Sequence, residues 1–391
     1  MGCPHSVNTR TVPNKAVPSL FIHLLLPGRE RPPNSCPGTI PICGRCGVPT
    51  DDNRRNSRHG APDAGATGTF DPDRNSGGSG DFVHDPVMLQ EILDTFADVP
   101  AGAYVDGTLG GAGHATAILS VRSDMTLVGI DRDAMALDAA SQRLAPFGER
   151  VHLARARFDE LSAVVDASPF AGSVSAVLLD LGVSSPQLDR SERGFSYRAT
   201  GPLDMRMDDR DGVTASDIVN TWSHGEIARV LSEFGDERFA GRIASALIDA
   251  RPVETTVELA EIVRAAIPAA TRRTGGHPAK RTFQALRIAV NEELDQIESA
   301  LRQAVDQLVP GGRGAVLAYH SGEDRIVKHV IADEESGGCT CPQRLPCACG
   351  AVGRVKIVPP RRRTPSADEQ DRNPRAASAQ LRVFERVLAS A

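Results

Sequence analysis

Val105-Asp106-Gly107-Thr108-Leu109-Gly110-Gly111-Ala112-Gly113-His114 is the stretch that decides the fold. It leaves a short apolar strand, Ala103-Tyr104-Val105, turns through glycines and enters a helix expected over 115–120. A second apolar run, Leu127-Val128-Gly129-Ile130, ends on Asp131. A glycine turn between strand and helix lets backbone approach a ligand closely. An acidic residue about 20 positions later, at the tip of the next strand, suits the two hydroxyls of a ribose. The pattern predicts a nucleoside-type cofactor at the carboxyl ends of a parallel sheet. The plain alternative is a tight strand-to-helix connection with no ligand.

The turn is not a dinucleotide fingerprint, which cradles a pyrophosphate on a helix N-terminus. Asp106 precedes the glycines, and a carboxylate there repels phosphate but attracts an ammonium or a sulfonium. S-adenosylmethionine carries both cations and a ribose and has no phosphate. It is the expected cofactor; a nicotinamide dehydrogenase is the weaker alternative.

Working outward, strand and helix alternate. A helix near 87–96 precedes the first strand, and a helix over 134–144 follows Asp131. Strands are expected over 151–154 and 176–179, the latter ending on Asp180. Alternation of this kind predicts a parallel, doubly wound α/β sheet. From 193 to 281 the alternation stops, and helices are expected over 215–221, 226–234, 237–249 and 256–266. This segment reads as an all-helical insertion for substrate recognition. One long helix over 281–308 then leads through Pro310-Gly311-Gly312, read as a stop signal, into a strand over 314–319 and a last strand over 381–386. The expected organisation is a disordered extension over 1–80, methyl-donor domain over 81–192 and 282–391, and the insertion between them. Pro, Gly, Asn, Asp and Arg dominate the extension, which cannot bury enough apolar surface to offset ordering entropy.

The net charge of −6 over 391 residues gives no global basic signature, so nucleic-acid contact must come from local patches. No apolar run approaches the roughly 18 residues of a membrane span. The eight cysteines lie near the two ends and none in the middle, which argues against a disulfide-built core and for the cytoplasm. Cys339, Cys341, Cys347 and Cys349 fall within eleven residues and offer zinc-type ligands. Their one-residue gaps are short for a zinc knuckle, as is the isolated Cys43-Gly44-Arg45-Cys46, so no metal is expected.

Asp180-Leu181-Gly182-Val183-Ser184-Ser185-Pro186-Gln187 follows the fourth strand. In an open α/β sheet ligands sit outside the carboxyl strand ends. A carboxylate, two hydroxyls and an amide on one such loop can hold a reacting group; the alternative is a turn satisfying its own backbone.

These residues resemble the bacterial 16S ribosomal RNA (cytosine-N4) methyltransferase family, RsmH/MraW. The resemblance rests on Asp106-Gly107-Thr108, Gly113-His114 and the Asp180 to Asp189 loop. It extends through Glu192-Arg193-Gly194-Phe195-Ser196, Gly201-Pro202-Leu203-Asp204-Met205-Arg206-Met207, His277-Pro278-Ala279-Lys280-Arg281-Thr282-Phe283-Gln284-Ala285-Leu286-Arg287 and Asn373-Pro374-Arg375-Ala376. It spans roughly 82–388 and is specific because the motifs are long and ordered. It implies a class I (Rossmann-like) methyltransferase with an inserted helical domain and S-adenosylmethionine as donor. It also implies a cytidine in the decoding region of 16S rRNA in the small ribosomal subunit as acceptor, and a homodimer. By position, it implies cofactor contacts at Ala112, Gly113, His114, Asp131, Phe158, Asp180 and Gln187, to which the reading above adds Asp106. Phe158 is expected on the adenine face or in ordinary core. Tyr319 and Gly322 depart from residues common in the family, so nearby His320 stays only a candidate.

A cytosine amine is a weak nucleophile because its lone pair is delocalised. Asp180 is the candidate acceptor for its N–H, with Ser184 and Ser185 orienting the base. The target base must leave its stack; Phe195 and Tyr197 are candidate stacking partners or core residues. Lys280, Arg281, Arg287, Arg361, Arg362, Arg363 and Arg375 are expected on RNA phosphates, with 361–375 a mobile gripping segment. Two other functions stay open: a class I methyltransferase acting on DNA, protein or another nucleic acid, and a non-catalytic ribosome-assembly factor retaining a cofactor pocket.

Overall fold

The computed structural model describes residues 86–210, 212–269, 277–342 and 348–388. The 1–80 extension, the Cys43–Cys46 pair and Cys347 lie outside the described residues. The chain opens with α1 (Leu89–Phe96), β1 (Gly102–Asp106), α2 (Gly113–Val121), β2 (Met125–Asp131), α3 (Ala134–Leu144), β3 (Val151–Arg155), α4 (Leu161–Ala167) and β4 (Val174–Asp180). The short α5 (Ser185–Asp189) follows, then the helices α6 (Ala215–Thr221), α7 (His224–Gly235), α8 (Ala240–Asp249), α9 (Thr256–Ala266), α10 (Lys280–Asn291) and α11 (Glu293–Gln307). The chain closes with β5 (Leu308–Ala318), α12 (Ser321–Ser336), β6 (Val355–Ile357), α13 (Ala367–Arg372) and β7 (Gln380–Arg386).

The strands form one sheet in the order β3-β2-β1-β4-β5-β7-β6. Residues Val174 to Leu179 of β4 are all buried, as a strand covered by helices on both faces requires. Side chains alternate between two cores: Tyr104, Ala176 and Leu178 in one, Val105, Val177 and Leu179 in the other, the period-two signature of a strand. Strand order reverses between β1 and β4, which pair parallel. That reversal opens a crevice at their carboxyl ends.

Four expectations are corrected. The sheet is not wholly parallel: β7 runs antiparallel to both β5 and β6. The helix expected over 281–308 is two helices, because Glu292 adopts a left-handed φ of 51° and breaks the run. Pro310-Gly311-Gly312 does not separate helix from strand. It lies inside β5, where the register jumps from Val174↔Leu308 to Ala176↔Arg313. The segment 361–375 is not a loose grip: Arg363 exchanges backbone hydrogen bonds with Leu381 at 2.9 Å, and Arg361 O accepts from Arg382 Nη1 at 3.0 Å.

The helices α6 to α10 build their own core, containing Met205, Ile218, Leu231, Ile243, Leu259 and Leu286. Reciprocal caps start three of them, Thr214 with Asp217, Ser223 with Glu226 and Thr255 with Glu258, each satisfying two orphan N–H groups; α6 and α9 begin as expected, while α7 begins at His224 and α8 at Ala240. α10 contributes Phe283 and Val290 to this core, so the packed unit runs past residue 281. Among the described residues, no helix is long and apolar enough to cross a membrane.

Candidate functional site

Three aspartates stand at adjacent strand tips. Asp106 ends β1, Asp131 ends β2 and Asp180 ends β4, so the crevice at the strand-order reversal is lined with carboxylates. The glycine turn is folded onto them. Thr108 Oγ1 accepts from the Asp180 N–H at 2.6 Å, and the Gly110 N–H donates to Asp131 Oδ2 at 2.8 Å. Gly110 has φ +50°, a left-handed conformation that favours glycine. A Cβ on Gly107 would lie 2.5 Å from Leu179 Cδ2, and beyond it 3.6 Å from Phe158 Cβ. Phe158 therefore stands beside the turn, half-buried.

Each carboxylate is held by groups without formal charge. Tyr104 Oη donates to Asp106 Oδ2 at 2.8 Å and Tyr319 Oη to Asp180 Oδ1 at 2.7 Å. Asp131 accepts from the backbone N–H of Gly110 and, at 2.8 Å, of Asp133. Burial pushes all three up from the usual carboxylate value to about 6. Asp180 adds to the rise at Asp106, so the two charges sense each other. His114 Nδ1 lies 3.9 Å from Asp180 Oδ2. Burial lowers the His114 pKa, and the neighbouring Asp106 carboxylate opposes that shift. Carboxylates raised by burial, with no lysine or arginine bonded to them among the described contacts, favour a cation. An ammonium and a sulfonium answer that need, and Asp131, bonded only to backbone N–H groups, keeps acceptor sites for a ribose diol. The residues present thus fit S-adenosylmethionine.

A sequence model of the MraW methylase family matches residues 81–387. The chain belongs to that family. It is 50% identical over 311 residues to a protein of Heliobacterium modesticaldum named ribosomal RNA small subunit methyltransferase H, covering 78% of this chain and 99% of the relative. A Nocardia farcinica protein of the same name is 48% identical over 316 residues, covering 78% of this chain and 97% of its own. Among solved structures, an rRNA methylase from Streptococcus thermophilus aligns at a TM-score of 0.33 with 14% identity, over 77% of this chain and 94% of that one. This MraW methylase is an S-adenosylmethionine-dependent methyltransferase, and its sheet carries the class I arrangement that the resemblance implied.

In the methylase the remaining site residues fall as follows. Ala112, with φ 58°, is the buried N-cap of α2. Gly113 is glycine because Pro86 crosses it: a Cβ would lie 2.6 Å from Pro86 Cγ. His114 Nε2 sits 3.0 Å from Val87 O. Gln187 is buried, donating to Asp133 Oδ2 at 2.9 Å and accepting from the Ser184 N–H at 3.0 Å. Its amide orders the loop rather than projecting into open space. Ser184 faces the glycine turn, its Cβ 4.0 Å from where a Gly110 Cβ would stand. Ser185 opens α5; its side chain lies outside what is described.

Sequence reasoning missed Tyr104, Asp133 and Arg193. Tyr104 was legible in principle, since residues two apart on a strand share a face and its hydroxyl reaches Asp106. Asp133 caps α3 through Met135 N at 3.0 Å and pairs with Arg193 Nη1 at 2.9 Å. Arg193 continues to the carbonyls of Arg206 and Met207. This chain of contacts ties the Ser184 loop to the helical core, and nothing local in the sequence announces it.

Several RNA expectations are corrected. Of the two alternatives for Phe195, the core one holds: it is buried in the helical core, so it does not stack on a base. Tyr197 packs against the same core and stacks on His277 at 4.3 Å between centroids. Arg287 forms a two-point ion pair with Glu293 at 2.8 and 2.9 Å. Arg363 bonds Thr95 Oγ1 and Pro359 O, and Arg375 bonds Asp189 at 2.9 Å. Lys280, Arg281, Arg361 and Arg362 are exposed, although Arg281 donates to Asp236 O at 2.6 Å and Arg361 pairs with Glu335 at 3.5 Å. His320 caps α12 by accepting from the Gly322 and Glu323 N–H groups, a structural duty.

Proposed function

We propose that this methylase transfers a methyl group to the N4 exocyclic amine of a cytidine in the decoding region of 16S rRNA, within the small ribosomal subunit. Family membership and the name shared by the relatives support ribosomal RNA of the small subunit as substrate. The observation that carries the chemistry is Asp180: a desolvated carboxylate at the β4 tip, one oxygen fixed by Tyr319, beside the glycine turn.

S-adenosylmethionine supplies an already activated methyl group when bound. Asp131 would hold the ribose hydroxyls, Asp106 the ammonium side and Phe158 the adenine, with Ala112, Gly113, His114 and Gln187 shaping the wall. Asp180 accepts an N–H of the cytosine amine, which localises the nitrogen lone pair and receives the developing positive charge. Ser184 and Ser185 orient the base, so that proximity does much of the work. Lys280, Arg281, Arg361 and Arg362 contact RNA phosphates. The reading places the reaction in the cytoplasm with its substrate and the protein in a homodimer, which sedimentation would test.

The test is methylation of isolated small subunits with labelled donor, followed by mass mapping of the product. The reading expects one N4-methylcytidine in the decoding region. Label on another base, or only on free protein or DNA, contradicts it.

A further inference from the structure

The loop between α12 and β6 has a closed neck and, among its described residues, no core. Its two arms run backbone against backbone: a Cβ on Gly337 would lie 2.4 Å from Val352 O, and one on Gly353 would lie 2.2 Å from Glu335 O. The Arg354 N–H donates to Glu334 O at 2.9 Å, and its guanidinium grips the Glu334 carboxylate at 2.6 and 2.7 Å. Beyond this neck, none of the described residues from 337 to 354 is buried. A loop without apolar burial has little to offset its ordering entropy, and small units in that position rely on a disulfide or a metal.

Three thiols meet inside this loop. The Sγ atoms of Cys339, Cys341 and Cys349 all lie within 4.8 Å of one another, and Cys349 Sγ is 3.6 Å from Cys339 Sγ. Cys339 and Cys341 come from the outgoing arm, Cys349 from the returning one. A tetrahedral zinc with Zn–S bonds of about 2.3 Å places its sulfurs about 3.8 Å apart, close to the separation found. A disulfide needs about 2.05 Å.

We propose that Cys339, Cys341 and Cys349 bind a zinc ion that staples the loop between α12 and β6. The thiolates supply three ligands and leave one coordination position for a further donor. The site is structural and separate from the strand-tip carboxylates. This departs from the expectation of no metal, which weighed the one-residue gaps along the chain and not the ligand arriving from the other arm.

The test is metal analysis of the full-length protein, purified under reducing conditions, loaded with zinc chloride and desalted. About one zinc per chain is expected, with X-ray absorption giving Zn–S distances near about 2.3 Å. The double variant Cys339→Ser/Cys349→Ser should fall below about a tenth of that, while Cys43→Ser/Cys46→Ser keeps it. The same double variant should retain the main thermal transition, so that metal loss is not unfolding. Absence of stoichiometric zinc in the wild type overturns the proposal, as do zinc that follows Cys43 and Cys46 or a disulfide among the loop cysteines.

Discussion

The Tyr319 hydroxyl donates to Asp180 Oδ1 at 2.7 Å, joining the residue after β5 to the tip of β4. This bond opposes the burial that lifts Asp180 to about 6. Tyr319→Phe removes a bond to a charged acceptor, worth about 1.5–3 kcal/mol. The acid limb of the turnover–pH profile should therefore move up by about one to two units, since one unit is about 1.4 kcal/mol. An unmoved limb would show that Tyr319 does not tune Asp180.

Asp180→Asn keeps the shape of the tip and removes the charge. If Asp180 accepts the amine proton, turnover should fall by about 100-fold or more, with donor affinity changed by less than about tenfold. Single-turnover kinetics with saturating donor separates the two. Equal losses in turnover and affinity would reduce Asp180 to a cofactor anchor.

Both aspartate tips on β2 and β4 were legible because each closes an apolar run, and the helices α6 and α9 began where Thr-x-x-acid caps stand. The break at Glu292 was not, because a non-glycine residue in the left-handed region carries no local signal. The antiparallel β6–β7 edge was equally hidden: three residues of β6 find their partner about 30 positions away. The arginines failed most. Whether Arg287 meets a phosphate or Glu293 depends on tertiary neighbours, and a charge pattern contains no such information.

The glycines at the site differ in kind from those on the surface. Gly113→Ala drives a Cβ to 2.6 Å from Pro86 Cγ, and overpacking of this kind costs about 1–3 kcal/mol. Gly241→Ala, in α8 with nothing within 4 Å of the added Cβ, should stabilise by about 0.5–1 kcal/mol. Denaturant titration of the two variants should show opposite signs; a shared sign would refute the close approach of Pro86.

Protonation gives a further signature. Asp106, Asp131 and Asp180 bind protons more tightly in the folded chain, at about 6, than at the ordinary 3.8. Their contribution to stability is therefore full below the ordinary value and is lost as pH rises through about 6. Donor binding runs the other way, because only the ionised carboxylates attract a cation. Affinity for S-adenosylmethionine should rise up to about tenfold per pH unit below 6 for each carboxylate that touches the donor, Asp106 and Asp131, and level off above about 7. Calorimetry across that range should also register proton release on binding, and a flat profile would contradict the arrangement.

The most direct measurement is equilibrium dialysis of S-adenosylmethionine against the full-length protein and its Asp131→Ala variant at neutral pH. A donor seated at the strand tips predicts saturable binding to the wild type. Asp131→Ala should weaken that binding by about 10- to 100-fold, the loss of charge-assisted hydrogen bonds, with the thermal transition preserved. Undetectable binding at millimolar donor, or equal affinity in the two proteins, would contradict it.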